Sequence, residues 1–346
     1  MAPVLKSESG SAPRIESVDP TAALPGGEIE VHGANLGAVQ FRRPVVMLGD
    51  LAAPVVMSRG RRMMLRVPQE AISGKLRVLQ NGAQSNSVSV EVATPLATGV
   101  HAVSNPAIDG NGNIFVTLSG SRGQETPVSV YQIEQNGEMH PFLSGIMNAT
   151  GLAVDEENQL YVSSRHEGTV YQVSPAGAAK VYAEGMGIAT GIAFDAEHNL
   201  YVGDRSGTIF KIAPDRQIFV FATLEPSVAA YHLAFGMDGT LYVTGPTTSS
   251  HDNVYAIDRN GGISVFYHGL GRPQGVAVDI SGAVYVAASM HGRRGVVRIS
   301  QSGEASLAIA GSGIVGVAFV PGGNALIATG SAVYDVALGV EGWRVG

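Results

Sequence analysis

Arg165 and Arg205 stand in the same register of two related segments, LYVSSRHEG at 160–168 and LYVGDRSG at 200–207, each four residues after a tyrosine. Equal register in neighbouring repeats projects two side chains alike, so the pair offers two planar guanidinium forks of the kind that match carboxylate and phosphate oxygens. Asn105, Thr150, Thr190, Tyr231, His232 and Gln274 lie near the starts of the same repeats and would form a polar ring beneath those forks. With Asp204 and Arg294 they complete a candidate ligand-binding set for a carboxylate, a phosphate or a sugar acid. Arg122, Arg272, Arg293, His166, His251 and His291 fall in loops expected on the same face. A competing reading pairs Arg165 with Glu167 and Arg205 with Asp204 as surface ion pairs of little energetic consequence. His232, where other repeats carry Gly, reads as a hydrogen-bonded core histidine or as a ligand contact.

Catalytic residues cannot be assigned from this pattern. The chain has no Cys, which removes a thiol nucleophile, thiolate zinc sites and disulfides. It also lacks a GxSxG elbow, an HExxH pair, a Walker loop and an EF-hand loop.

The elements that would position these residues are repeats. Ala107, Ala153, Ala193, Ala234, Ala277 and Ala318 recur about every 42 residues. A second column follows at Phe115, Tyr161, Tyr201, Tyr242, Tyr285 and Leu326, and a third at Tyr131, Tyr171, Phe210, Tyr255, Val297 and Tyr334. Each unit reads as four strands, as in GLAVD, LYVSS, GTVYQV and KVYAEG. Such a sheet cannot bury both faces alone, so six must stack around an axis as a propeller. Asp109, Asp155, Asp195 and Asp279, where the first strand meets its turn, read as caps on local backbone groups rather than catalytic carboxylates. The ring could close through VEVATPLATG at 90–99 or through the segment around Trp343, and the sequence leaves both open.

Composition agrees with an all-β chain. The 346 residues include 45 Gly and 17 Pro, with 45% hydrophobic and 15% charged residues, so many short apolar strands joined by tight turns are expected. The hydrophobic content argues against disorder, and there is no collagen-like period. Residues 1–94 carry 10 basic and 8 acidic side chains, leaving 12 and 21 of the chain's 22 and 29 to the remainder. That change of sign supports a boundary near Thr94-Pro95. Residues 1–12 read as a flexible N-terminus, 13–94 as one domain of about seven alternating strands, and 98–346 as the repeat domain. Arg42, Arg43, Arg59, Arg61, Arg62 and Arg66 cluster in the first domain, but its small net charge and missing Tyr and Trp argue against nucleic-acid binding. No run approaches the ~18 apolar residues of a membrane helix, and the first residues lack the pattern of a secretory signal. The expectation is a cytoplasmic protein, exported only if its start was trimmed, with no nucleic-acid or membrane partner and with oligomeric state open between monomer and oligomer.

Two resemblances follow from these residues. Pro20, Gly26-Gly27, Gly33-Ala34-Asn35-Leu36-Gly37, Val67-Pro68, Asn81-Gly82 and Ser85-Asn86 resemble the IPT/TIG family, which implies an immunoglobulin-like β-sandwich over about residues 13–93. The repeat xGlAvD…gnLYVs…GtVyqv resembles NHL-repeat propellers and the senescence-marker-protein and gluconolactonase family, which implies a six-bladed β-propeller over about 98–340. The lactonases of that family hold a divalent cation over the channel. The resemblance places their ligands at Ser104, Asn105, Ala149, Thr150, Ala189, Thr190, Ala230, Tyr231, Pro273, Gln274, Ile314 and Val315, and none of these is a carboxylate. The expectation is therefore a binding protein that recognises a small polar or anionic molecule or a protein partner, with no cofactor evident. The alternative is a metal-dependent lactonase with a rearranged site, in which Asp204 and Asn105, with Gln274 and His232, would serve a Ca²⁺ or Zn²⁺ ion.

Overall fold

The computed structural model describes residues 12–38 and 42–343; the segment 1–11, which holds nearly all of the expected flexible N-terminus, lies outside them. The described residues contain strands, turns and bridges and no helix, so no helix is long and apolar enough to cross a membrane. Two compact units are present, Met1–Ala93 with Ala308–Ser312, and Thr94–Leu307 with Gly313–Gly346.

In the first unit, alternation of apolar and polar residues produces two sheets. One runs Arg14–Asp19, Glu28–Ala34, Arg62–Arg66, Val55–Arg59 in spatial order, and the other contains Val88–Val92, Gly74–Gln80, Val45–Leu48 and Leu51–Ala53. Ile29, Val31, Met63 and Leu65 of the first sheet and Val46, Leu76, Val78 and Val90 of the second are fully buried, which is the period-2 pattern of strands with one apolar face. Two of the arginines on these strands are paired with carboxylates. Arg62 meets buried Glu30 through two nitrogens, at 2.5 and 2.7 Å, and Arg66 meets Glu28 at 2.7 Å.

The second unit is built from four-stranded antiparallel sheets in sequence order. The first four are Ala107–Ile108 to Met139–Leu143, Ala149–Val154 to Ala179–Ala183, Ala189–Phe194 to Ile218–Thr223, and His232–Phe235 to Ile263–Leu270. A fifth set runs from Val276–Val278 to Ala305–Ala310. The last sheet takes Ile314–Val320, Asn324–Thr329 and Ala332–Ala337 from one end of the chain and Thr94–Thr98 from the other, pairing Pro95 with Tyr334 and Thr98 with Ala332. The ring therefore closes through residues before the first repeat. Trp343 instead donates its backbone N–H to Val278 O at 2.8 Å and lies at the central channel.

All the inner strands contribute to a channel of about 240 Å³, the arrangement of a β-propeller. Their closeness explains the repeated glycine. A Cβ on Gly191 would stand 2.3 Å from Tyr231 O, and one on Gly316 would stand 2.4 Å from Ser104 O. Only a residue without a side chain lets neighbouring backbones approach so far. Hydrogen bonds then link one sheet to the next around the ring: Ser104 Oγ to Thr150 O, Ser163 Oγ to Thr190 O, Gly191 N to Tyr231 O, Thr244 Oγ1 to Gln274 O, Gly275 N to Val315 O and Val317 N to Asn105 Oδ1. With no Cys in the chain, these bonds and interlocking side chains do the closing.

Farther out, the aromatic columns supply that interlock. Tyr161 meets Phe194, Tyr201 meets Phe235, and Tyr285 meets Phe319, edge-on at 4.8 to 5.0 Å, each contact joining adjacent sheets. Such pairs add about 0.5–1.5 kcal/mol beyond burial. The turn aspartates cap backbone groups. Asp195 Oδ1 accepts from the N–H groups of Glu197 and Asn199, while Oδ2 accepts from Tyr201 OH at 3.1 Å. Asp109, Asp155 and Asp279 make the same pair of backbone contacts.

Candidate functional site

A cavity of about 250 Å³ opens where the inner strands begin. It is lined by Val103, Thr150, Arg165, Thr190, Arg205, Val228, Ala229, Ala230, His232, Gln274 and Val315. Six residues of the sequence-derived set thus converge: Thr150, Arg165, Thr190, Arg205, His232 and Gln274. Among the described residues, no carboxylate lines the cavity.

The two arginines are held alike because they occupy the same register. Leu160–Ser164 and Leu200–Asp204 are second strands of adjacent sheets, and each arginine follows its strand directly. Arg165 N–H bonds back to Asn148 O and Arg205 N–H to Ile188 O, both at 3.3 Å. At the guanidinium ends, Arg165 Nη2 donates to Gly120 O and Arg205 Nη2 to Val228 O, each at 3.0 Å. The Nε of both is buried and has no hydrogen-bond partner. Among the described residues, neither arginine makes an ion pair. Glu167 instead accepts from Tyr171 OH at 2.8 Å, and Asp204 accepts from Ile188 N at 2.8 Å and from Ser206 Oγ. The expected Arg165–Glu167 and Arg205–Asp204 pairs are absent because both carboxylates have nearer local donors. Burial, and then the positive charges of Arg205 and Arg122, hold the Arg165 guanidinium below its usual pKa.

Arg122 reaches this neighbourhood through a residue that the repeat pattern did not single out. Buried Asn148, at φ 51°, donates from Nδ2 to Gly120 O and Ser121 O at 2.9 Å and accepts from Gly123 N at 2.8 Å. It clamps the loop that carries Arg122. The sequence signal for it is weak: a polar residue able to adopt positive φ, one position before an inner strand.

Beneath the arginines, Thr150 Oγ1 donates to Asn148 O at 2.9 Å, while Thr190 Oγ1 donates to Gly203 O at 2.7 Å and accepts from Tyr231 N at 3.1 Å, so Thr150 keeps more acceptor capacity for a ligand donor than Thr190 does. His232 is 2% exposed and lines both the cavity and the channel. Burial lowers its pKa from 6.5 to about 4, which makes it a neutral imidazole at pH 7.

Four residues of the sequence-derived set do not line the cavity. Asn105 lines the channel, and its amide bridges sheets by donating to Val276 O at 2.8 Å and accepting from Val317 N at 3.1 Å. Tyr231 is buried: its hydroxyl donates to Glu225 O, and its ring lies against Gly203 and Gly245. Asp204 is a loop cap. Arg294 is exposed on Arg293–Ile299, paired in register with Ser289.

These assignments bear on the divalent cation implied by the gluconolactonase resemblance. Hard cations take oxygen ligands and normally need carboxylate charge. The oxygens of Asp204 and Asn105 are already bonded to the protein, and the cavity offers guanidinium groups in their place. The residues present do not fit a cation there. Among the described residues, the three potential ligands that lie within reach of one another, Glu134, Glu138 and His140, are outside this cavity.

No protein-family model and no curated protein sequence matches the chain. Solved structures do. An auxiliary nutrient binding protein from Bacteroides thetaiotaomicron is 11% identical, with a TM-score of 0.56 over 95% of this chain and 98% of that one. A gluconolactonase from Xanthomonas campestris is 16% identical, with a TM-score of 0.57 over 71% of this chain and 89% of that one. Virginiamycin B lyase from Staphylococcus aureus is 11% identical, with a TM-score of 0.52 over 90% and 99%. At these identities the likeness is one of fold, shared by enzymes and binding proteins built on β-propellers.

Proposed function

We propose that this protein binds a small anionic molecule in the cavity between Arg165 and Arg205. We read the chain as an immunoglobulin-like module of the IPT/TIG kind over residues 13–94, followed by a six-bladed propeller of the NHL and gluconolactonase-like kind over 98–346. The observation that carries the functional reading is the pair of guanidiniums with buried, unpartnered Nε atoms in a cavity without a carboxylate. Buried donors left unpaired cost about 1–3 kcal/mol each, and a planar oxyanion would satisfy both forks. The concave shape and volume suit a small molecule more than a protein surface. The likeness in fold to an auxiliary nutrient binding protein fits this reading.

Lactone hydrolysis through a bound cation is the weaker reading, since the oxygen donors are engaged elsewhere. Thermal shift measurements with phosphate, citrate and gluconate test the proposal on the wild type and on Arg165→Ala/Arg205→Ala. Stabilisation of the wild type alone supports it; equal stabilisation of both proteins rejects it. Lactone turnover that depends on added Ca²⁺ or Zn²⁺ would favour the hydrolase.

A further inference from the structure

Two guanidiniums, of Arg165 and Arg205, line the cavity, and a third, of exposed Arg122, lies near enough for its charge to act on Arg165. Asn148 and Arg165 both bind Gly120 O, and Asn148 also holds Ser121 O and Gly123 N, which fixes the loop bearing Arg122 against Arg165. Arg122 and Arg205 each lie close enough for their charges to act on Arg165. The carboxylates adjoining the two arginines in sequence are already engaged, Asp204 by Ile188 N and Ser206 Oγ and Glu167 by Tyr171 OH. A monocarboxylate would neutralise one of three guanidiniums and leave the rest repelling each other, whereas a dianion answers the excess and has acceptors for several N–H donors at once. The Gln274 carboxamide and the His232 imidazole make no hydrogen bond within the described residues, and both line the same cavity. They offer neutral partners for the hydroxyl groups of a polar body.

Resting on the anion-binding reading, we propose that the ligand is a small phosphomonoester bound as its dianion, with the phosphate among Arg122, Arg165 and Arg205 and a hydroxylated body toward Gln274 and His232.

Titration calorimetry on the full chain tests this with glycerol 3-phosphate and, as a monocarboxylate, gluconate, at pH 7.5 and pH 5. The second ionisation of a phosphomonoester lies near pH ~6, so dianion binding predicts about tenfold weaker affinity at pH 5, while gluconate stays ionised and changes little. Across this range buried His232 stays neutral, and burial pushes the Tyr231 phenol up. Glu167 is bound to Tyr171, and His166, whose ring lies beside Gly123, is replaced in a His166→Gln background run in parallel. Arg122→Ala should weaken the phosphate ester about tenfold and gluconate less than threefold. A phosphate ester affinity that is flat with pH, or no stronger than that of gluconate, or indifferent to Arg122→Ala, overturns the phosphomonoester assignment. If gluconate still binds in a manner lost with Arg165 and Arg205, the anion site survives that result. If neither ligand needs the two arginines, the proposed function itself fails.

Discussion

Arg165 and Arg205 are one side chain written twice: each donates Nη2 to a backbone carbonyl at 3.0 Å and each buries an Nε that bonds to nothing. Two like charges in such a place are not accounted for by packing. Desolvation and mutual repulsion of the two guanidiniums cost stability, which an anion bound between them would relieve.

The first prediction concerns that cost. Arg165→Gln keeps a donor for Gly120 O but removes a charge disfavoured by burial and by Arg205 and Arg122. In low salt its melting temperature should equal or exceed that of the wild type, while stabilisation by phosphate disappears. A marked loss of stability without ligand would mean that the charge has a structural partner after all.

His232 sets an acid limb. Its folded pKa is depressed to about 4 from 6.5, so between these values the unfolded chain binds a proton that the folded one refuses. Stability from the neutral ring is complete above pH 6.5 and falls away as pH drops toward 4, by about 3 kcal/mol in all. Urea midpoints followed across this range should fall less steeply in His232→Gln. Parallel profiles for the two proteins would contradict the burial assigned to the ring.

Glycine at the inner strands is a packing requirement. Gly191→Ala drives a methyl to 2.3 Å from Tyr231 O and should cost roughly 3 kcal/mol or more. Gly330→Ala meets nothing within 4 Å and has no positive φ, so it should be near neutral. Chemical denaturation of both variants measures the contrast.

The turn caps are separable from the site. Asp195→Ala strands the N–H groups of Glu197 and Asn199 and frees Tyr201 OH, with an expected loss of roughly 3 kcal/mol. Ligand affinity should be unchanged, because Asp195 lies away from the cavity-lining residues.

What could be read from the sequence was whatever repeats. The alanine and aromatic columns fix strand order within each sheet, and the shared register of Arg165 and Arg205 follows from them. Interactions that occur once were not legible. Thr94–Thr98 closes the ring by pairing with residues more than two hundred positions away; the sequence offers 90–99 and the segment around Trp343 alike, and nothing local chooses between them. Asn105 looked like a ligand contact, but its amide is claimed by Val276, 171 residues on. Asp204 and Tyr231 were drawn off by neighbours whose geometry only the folded loops create. Arg122 could be placed on the right face but not against Arg165, because Asn148 does that work and belongs to no repeated column.

The most direct test of the central claim watches the unpartnered atoms themselves. In ¹⁵N–¹H correlation spectra that resolve arginine Nε–Hε groups, assigned by Arg165→Lys and Arg205→Lys, titration with glycerol 3-phosphate should shift both resonances together and saturate with the affinity measured by calorimetry. Ligand binding that leaves the Nε–Hε signals of Arg165 and Arg205 in place would show that the anion lies elsewhere and that the cavity is not the site.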